Sequence, residues 1–414
     1  MRFSEFGTRF RGNTGIGTLM QDLKPSAPSA GTQYALGGGN PAIIPAVSER
    51  FRQSLSRLCD SDVFNQTFAT YDGPAGDQRF IAALVNLLNR HYDWTLNPEN
   101  VVLTNGSQNA FFMLFNLFAG QTQGQHRHIL LPIAPEYIGY EDVSIGDPIF
   151  RSVQPDIELL DDQLYKYRLN TTRLKIESNT AALCVSRPTN PTGNVITDEE
   201  LLLLNQLAQD HDVPLIIDNA YGAPFPNIIQ TPAKLIWNKN IILSMSVSKM
   251  GLPGARTGIV IADEEIIRTL SEMNSVFNLA PSSLAPAMLE PLFTSGEILQ
   301  LCEEQIRPFY EERSKIALQW FREAFAGLPA KAHKPEGSIF LWLWFPKLNI
   351  SSQAFYERLK KRGVIVVPGH YFFPGMDKSW PHVNQCIRVN IAGDSQSVQT
   401  GIGIIADELR ATTT

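Results

Sequence analysis

The chain reads as an α/β protein, with a large domain built on a mostly parallel sheet of the seven-stranded type covered by helices and a smaller α+β domain behind it. Three observations predict this. Between residues 100 and 263 short apolar runs alternate with helical stretches, the pattern of parallel strands covered on both faces. The polar residues that stand out in that span fall just past the C-terminal ends of the apolar runs, the edge at which open α/β sheets bind ligands. After residue 330 a strand, helix and strand series suggests a second core, and 414 residues suffice for both. The expected division is an arm with part of the small domain over 1–45, the large domain over 46–290 and the small domain over 291–414.

Bulk composition narrows the function. Hydrophobic residues make up 43% and charged residues 18%, without an apolar run of membrane-spanning length or a low-complexity segment. A net charge of −6 and the lack of a basic tract argue against a nucleic-acid surface. The cysteines, Cys59, Cys184, Cys302 and Cys386, are far apart and form no CxxC pair, so neither a metal site nor a disulfide framework is expected. The first residues, MRFSEFGTRFRGNTG, contain no apolar signal core, which makes the cytoplasm the expected location.

In chain order, residues 1–35 form an arm, a short helix followed by a Pro/Ser/Gly-rich loop over 24–33. Leu36-Gly-Gly-Gly39-Asn40-Pro41 follows, where glycines allow a plain turn or a close approach to a ligand. Helical periodicity covers 45–60 and Asp77–Arg90, the second with Phe80, Leu84, Leu87 and Leu88 on one face. Between them lies Tyr71-Asp-Gly-Pro-Ala-Gly76; taken alone, Tyr71 fits packing better than binding. Val101–Leu103 is a strand feeding Thr104-Asn-Gly106-Ser107-Gln108 and an apolar helix. Such a helix start presents free N–H groups to an anion, although serine is also a common N-cap.

The strand over 128–132 ends in Ala134-Pro-Glu-Tyr137-Ile-Gly-Tyr140, where Tyr137 suits either a flat ligand or the core. The strand over 182–186 leads into Arg187-Pro-Thr-Asn190-Pro-Thr-Gly193, a turn that leaves Asn190 placed to donate a hydrogen bond over the sheet end. Thr197-Asp-Glu-Glu200 has the form of a capping box for a helix to Gln209. The strand over 213–217 ends in Asp218-Asn-Ala-Tyr221. A carboxylate directly after an aliphatic run is costly unless it is paired.

Residues 240–263 read as strand, loop, strand, with Lys249 just past the first strand. Desolvation disfavours an ammonium there and leaves an amine able to attack an aldehyde. Ser246 and Ser248 precede it and Arg256 follows, a phosphate grip beside an imine-forming lysine. Pyridoxal 5′-phosphate requires that combination, and its pyridinium nitrogen is a natural partner for Asp218. The chain is then helical to about Phe325 with a break at Ala280-Pro-Ser-Ser. The small domain follows, with GSIFLWLWF at 337–345, a helix near 351–362, Gly363-Val-Ile-Val-Val-Pro-Gly369 and Cys386-Ile-Arg388-Val-Asn390. Arg388 in an apolar strand needs an anion, either a structural ion-pair partner or a substrate carboxylate.

These motifs resemble the class I and II aminotransferases, fold-type I enzymes that use pyridoxal phosphate. YDGPAG, LTNGSQ, PTNPTG, IDNAY, SVSKMGLPGARTG, VPG and CIRVN occur in that family's order over nearly the whole chain. Longer segments, LGGGNPA, LPIAPEYIGY, SRPTNPTGNVITDEELL and HKPEGSIFLWLWF, are similar to bacterial members that act on valine and pyruvate. The resemblance implies that Lys249 binds the cofactor's aldehyde and moves protons, that Asp218 keeps the ring nitrogen protonated, and that Tyr221 and Asn190 bond the ring oxygen. Tyr137 would stack on the ring. Gly106, Ser107, Gln108, Ser246, Ser248 and Arg256 would hold the phosphate side, with Tyr71 supplied by the partner subunit of a homodimer. Arg388, Asn190 and the backbone at Gly39 would hold the substrate carboxylate. The implied reaction moves an amino group between an apolar L-amino acid, valine or alanine, and a 2-oxo acid such as pyruvate or 3-methyl-2-oxobutanoate. Competing readings are an aromatic or broad-specificity aminotransferase or a C–S lyase of the same fold and, from another class, a cofactor-binding sensor module. The sensor normally carries a basic helix-turn-helix domain, for which this chain shows no pattern.

Overall fold

Apolar runs bounded by glycine and polar turns become strands, and in the computed structural model, which describes residues 1–12, 14–22 and 33–413, they assemble into two principal sheets. The first has the order Val101–Thr104, Gly258–Ile261, Ile241–Ser246, Leu215–Asp218, Thr180–Ser186 and Gln125–Leu131, and the last of these also pairs with Gly120–Thr122 and Phe150–Ser152. From Ile241–Ser246 through Phe150–Ser152 the pairing is parallel. Gly258–Ile261 runs antiparallel to both neighbours, and Gly120–Thr122 is antiparallel to its partner. The sheet therefore has eight strands, one more than the seven-stranded type expected, because the edge carries a short hairpin strand.

The central strands are buried along their whole length, as strands covered on both faces must be. One face is covered partly by Ser107–Phe118, whose Phe111, Leu114 and Phe115 pack with Val102, Ile216 and Ile242. The other is covered by a larger cluster that includes Leu103, Val185, Ile217 and Leu243. The capping box is present: Thr197 accepts from Glu200 N at 3.1 Å and the Glu200 carboxylate accepts from Thr197 N at 2.8 Å, starting the helix Asp198–Asp210. Asp77 is an N-cap rather than the first helical residue, so that helix runs Gln78–Tyr92.

The second sheet has the order Val367–Pro368, Cys386–Asn390, Phe340–Trp344, Lys331–His333, Leu164–Arg168 and Asp156–Leu159. Its last two strands come from the middle of the chain, within the segment 46–290. Tyr34–Ala35 pairs in parallel with Val364–Ile365, tying the arm to the C-terminal part. The expected loop over 24–33 lies outside the described residues except for Gln33. The helix Val63–Ala69, for which no expectation was formed, stands just before the Tyr71 loop. No described helix is long and apolar enough to cross a membrane.

Phe293, in the helix Leu284–Ser295, is fully buried edge-on against Phe80 and Phe225, at centroid distances of 4.8 and 5.1 Å. Phe293→Ala should cost about 3–5 kcal/mol by leaving a cavity. Thermal and urea unfolding measure it, and an unshifted midpoint would show that the aromatic cluster does not carry this helix.

Candidate active site

Parallel register sets Ser186, Asp218 and Ser244 side by side on neighbouring strands. Asp218 is buried, and two donors hold it: Tyr140 Oη gives a hydrogen bond of 2.8 Å to Oδ2, and the Ala220 N–H gives one of 3.1 Å to Oδ1. Burial raises its pKa to about 6 against the opposing pull of these bonds and of the Lys249 charge.

Lys249 stands in the short 3₁₀ turn Ser248–Met250, beyond the strand Ile241–Ser246. Its Nζ donates to Gly39 O at 2.7 Å and lies 5.5 Å from the Tyr221 ring centroid. Burial, and then the Arg388 charge, lower its pKa to about 8. The Tyr221 hydroxyl is buried and has no hydrogen-bond partner among the described residues, and burial pushes its pKa up.

On one side of Lys249 an anion cradle forms. Gly106, at φ 88°, precedes the helix Ser107–Phe118, and a Cβ there would lie 2.2 Å from Arg256 Nη2. Only glycine lets the guanidinium reach this helix N-terminus. Arg256 donates to the carbonyls of Pro253 at 3.2 Å and Asn105 at 3.3 Å, and no carboxylate pairs with it among the described residues. Ser246 Oγ bonds Ser248 Oγ at 3.0 Å, which adds two hydroxyls to the same wall. Dipole, guanidinium and hydroxyls together suit a phosphate.

On the other side lies Arg388, 2% exposed in the strand Cys386–Asn390. Nη1 donates to Asn190 Oδ1 at 2.8 Å and Nη2 to Gly37 O at 2.7 Å. Phe340 and Phe372 present their rings 4.1 and 5.0 Å from its Cζ. Among the described residues Nε is buried without a partner and no carboxylate pairs with the group, and burial lowers its pKa to about 10. Because Asn190 uses Oδ1 for Arg388, its amide nitrogen is the end left to donate elsewhere.

One cavity is lined by Ser107, Gln108, Tyr137, Asn190, Asp218, Tyr221, Ser246, Ser248, Lys249 and Arg256. Gly39 and Arg388 join it through Lys249 and Asn190, and Gly106 through Arg256. Tyr71 is not brought in: its side chain is 82% exposed and absent from the cavity lining. Sequence reasoning missed Phe111 and Ala220 in the wall, and Tyr140 and Asn390 behind it. Asn390 Nδ2 donates to Gly38 O at 2.6 Å and thereby steadies the glycine turn. Its place two residues after Arg388, on the same strand face, was the available signal. The groups fit pyridoxal phosphate: a buried amine and, among the described residues, a buried carboxylate with no ion pair, a tyrosine hydroxyl with no hydrogen-bond partner and a guanidinium at a helix start with no carboxylate.

Such a site on a mixed, mostly parallel sheet is that of a pyridoxal-phosphate enzyme, and the family comparison narrows it to an aminotransferase. The chain belongs to the class I and II aminotransferases, whose family model matches residues 32–405. It is 47% identical over 410 residues to a valine–pyruvate aminotransferase of Escherichia coli, covering 99% of this chain and 98% of that one. A crystal structure of a putative amino-acid aminotransferase from Psychrobacter arcticum matches with a TM-score of 0.96 at 47% identity, covering 100% of this chain and 99% of the other. A valine–pyruvate aminotransferase structure from Salmonella typhimurium gives 0.89 at 46% identity, covering 96% and 99%.

The raised pKa of Asp218 makes a prediction for the cofactor-free protein. A carboxyl whose folded pKa is raised from 3.8 to about 6 contributes stability that is present below pH 3.8 and lost as pH rises through about 6. Asp218→Asn should therefore stabilise the apoprotein by up to about 3 kcal/mol near neutral pH, with the gain vanishing in acid. Urea unfolding across pH checks this, and an apoprotein variant no more stable than wild type at neutral pH would contradict it.

Proposed function

We propose that this chain moves an amino group between an apolar L-amino acid, valine or alanine, and a 2-oxo acid, pyruvate or 3-methyl-2-oxobutanoate. The observation that carries this is an amine of lowered pKa set between two guanidiniums that lack carboxylate partners, Arg256 and Arg388. One suits a phosphate and the other a substrate carboxylate. The 47% identical valine–pyruvate enzyme supports the choice of substrates. Pyridoxal phosphate supplies, when bound, an aldehyde that condenses with amines and an electron-withdrawing ring.

The chain's own residues do the rest. Lys249, partly neutral near pH 8, is the nucleophile and the base that takes and returns a proton at the substrate's α-carbon. Asp218, aimed by Tyr140, holds a proton on the ring nitrogen. Tyr221 and the amide nitrogen of Asn190 would donate to the ring oxygen, and Tyr137 would stack on the ring. Gly106, Ser107, Gln108, Ser246, Ser248 and Arg256 hold the phosphate side. Arg388 meets the carboxylate with its planar fork, assisted by Asn190 and the backbone at Gly39.

The active sites belong to a homodimer in this reading. Tyr71 is exposed and does not line its own cavity, and the apolar side chains of Phe64 and Phe68 in the preceding helix are 38% and 51% exposed. A second copy covering this surface would bring Tyr71 to its neighbour's phosphate.

Borohydride should fix the cofactor to Lys249, and Lys249→Ala should bind cofactor yet lose nearly all turnover. Nuclear magnetic resonance of an amino-acid panel with pyruvate should show transamination of valine and alanine; a label on another lysine, or efficient turnover of aspartate, would refute the assignment. Shared sites can be tested by complementation. Tyr71→Ala and Lys249→Ala subunits refolded together at equal amounts should recover about a quarter of wild-type sites, since each mixed dimer has one intact site. Mixed dimers, verified by differential tags, that are no more active than the two parents combined would show that Tyr71 is not contributed across the interface.

A further inference from the structure

The proposed reaction gives no role to a buried ion pair that lies outside the cavity. Lys166, in the strand Leu164–Arg168, and Glu336, between the strands Lys331–His333 and Phe340–Trp344, are each 4% exposed and joined by a short contact. Both come from the second sheet, yet the backbone they grip belongs to a loop of the first. Lys166 Nζ donates to Val195 O at 2.9 Å, and Glu336 Oε2 accepts from Val195 N at 3.1 Å, so the pair takes both polar backbone groups of one buried residue.

Glu336 begins a bend that meets the same loop twice more. A Cβ on Gly337 would lie 2.4 Å from Pro188 Cγ, and one on Gly193 would lie 2.4 Å from Gly337 O, so a side chain at either position would part the two segments. Ser338, fully buried, holds φ at 66°, a conformation that non-glycine residues keep only where the neighbours impose it. Pro188, Gly193 and Val195 flank Asn190 on both sides. Between them, Gly193 N donates to Thr189 O at 2.8 Å and Thr189 N to Asn194 O at 2.9 Å, which makes the turn a closed unit that moves with its base. Asn190 sits inside it with Oδ1 on Arg388 Nη1, and Phe340, two residues past Ser338, lays its ring 4.1 Å from the same guanidinium.

A buried ion pair carries a desolvation cost that an apolar pair avoids, so stability alone does not account for one. We propose that Lys166 and Glu336 are positioning residues: by clamping Val195 they fasten the turn over 188–195 to the second sheet, and so keep the Asn190 amide oxygen on Arg388 and its nitrogen free for the cofactor. Arg388 stands on a strand of that sheet, so amide and guanidinium become one fork although they come from different sheets. This rests on the proposed use of Arg388 for the substrate carboxylate.

Lys166→Met combined with Glu336→Leu removes the clamp and replaces the pair by apolar side chains of similar volume, a change that buried ion pairs tolerate without loss of folding. Isovalerate, the carbon skeleton of valine without its amine, is the probe. Calorimetry should show the double-variant holoenzyme binding it about tenfold more weakly than wild type, with KM for valine rising by the same factor. Gly193→Ala pries the turn from Gly337 and leaves the pair intact; it should show the same loss, and it decides the matter if the double variant does not fold. Asn190→Ala should weaken isovalerate equally, and adding it to either variant should cost nothing further. Losses that add, or a folded double variant that binds as wild type does, would overturn the proposal. The pH midpoint of the bound cofactor's absorbance should shift in all of these variants, whereas a pair that served folding alone would leave it at the wild-type value. Crystal structures give a readout that needs no ligand: Asn190 Oδ1 should leave Arg388 in the double variant and in Gly193→Ala, and a bond retained in both would overturn the clamp. A wild type that bound no isovalerate and transaminated no amino acid would sink the functional reading, and the crystal structures would still decide the clamp.

Discussion

A guanidinium buried in the middle of an apolar strand is the constraint around which this structure is arranged. Burying a charge without a counter-charge costs several kcal/mol unless hydrogen bonds and polarisable faces replace water. Arg388 obtains these from Asn190, from the Gly37 carbonyl and from two phenyl rings. Each supplier must itself be held. The turn that carries Asn190 is braced by the buried ion pair of Lys166 and Glu336: Lys166 Nζ donates to Val195 O at 2.9 Å and the Glu336 carboxylate accepts from Val195 N at 3.1 Å. Gly193 closes the brace, since a Cβ there would lie 2.4 Å from Gly337 O. The glycine turn at 37–39 is held in turn by Asn390 and by the ammonium of Lys249. The Arg388 guanidinium, the glycine turn, Lys249 and the loop that carries Asn190 are thus one connected object.

Much of this was legible in the sequence because the large sheet is written in uninterrupted apolar runs, and the position after each run is where a ligand-facing residue must stand. Asp218, Asn190 and Lys249 could be read that way, and the capping box at Thr197 and Glu200 marked a helix start to the residue. The strands Asp156–Leu159 and Leu164–Arg168 were not legible. They are short and rich in charge, the first is mostly exposed, and the second finds its partner at Lys331–His333, far along the chain. The short helix Val63–Ala69 has a single buried residue, Thr67, and so shows no apolar stripe. Tyr140 belongs to a different kind of miss, since its bond to Asp218 arises from convergence in space, which periodicity does not encode. Tyr71 could be named only from the family resemblance, and its side chain stands 82% exposed.

The site is also a region where electrostatics work against folding. Lys249 is pushed toward neutrality while Asp218 and Glu136 are pushed toward their acid forms, in each case chiefly by burial. Strained or desolvated groups of this kind persist only where surrounding structure over-determines them. Here the surroundings are two apolar clusters on opposite faces of one sheet, with Phe111, Phe115 and Tyr140 on the side of Asp218. The cluster that stabilises the fold therefore also sets the dielectric in which the carboxyls titrate.

The way the second sheet is threaded bears on how the chain is made. Asp156–Leu159 and Leu164–Arg168 pair with each other early in synthesis, but the next strand of their sheet, Lys331–His333, and the central strands Phe340–Trp344 and Cys386–Asn390 emerge from the ribosome much later. Until then the nascent hairpin presents an unpaired edge, the feature that invites wrong partners. Arg388 lies on one of these late strands, so a chain stalled before it can complete much of the large sheet while the buried guanidinium beside Asn190 is still missing.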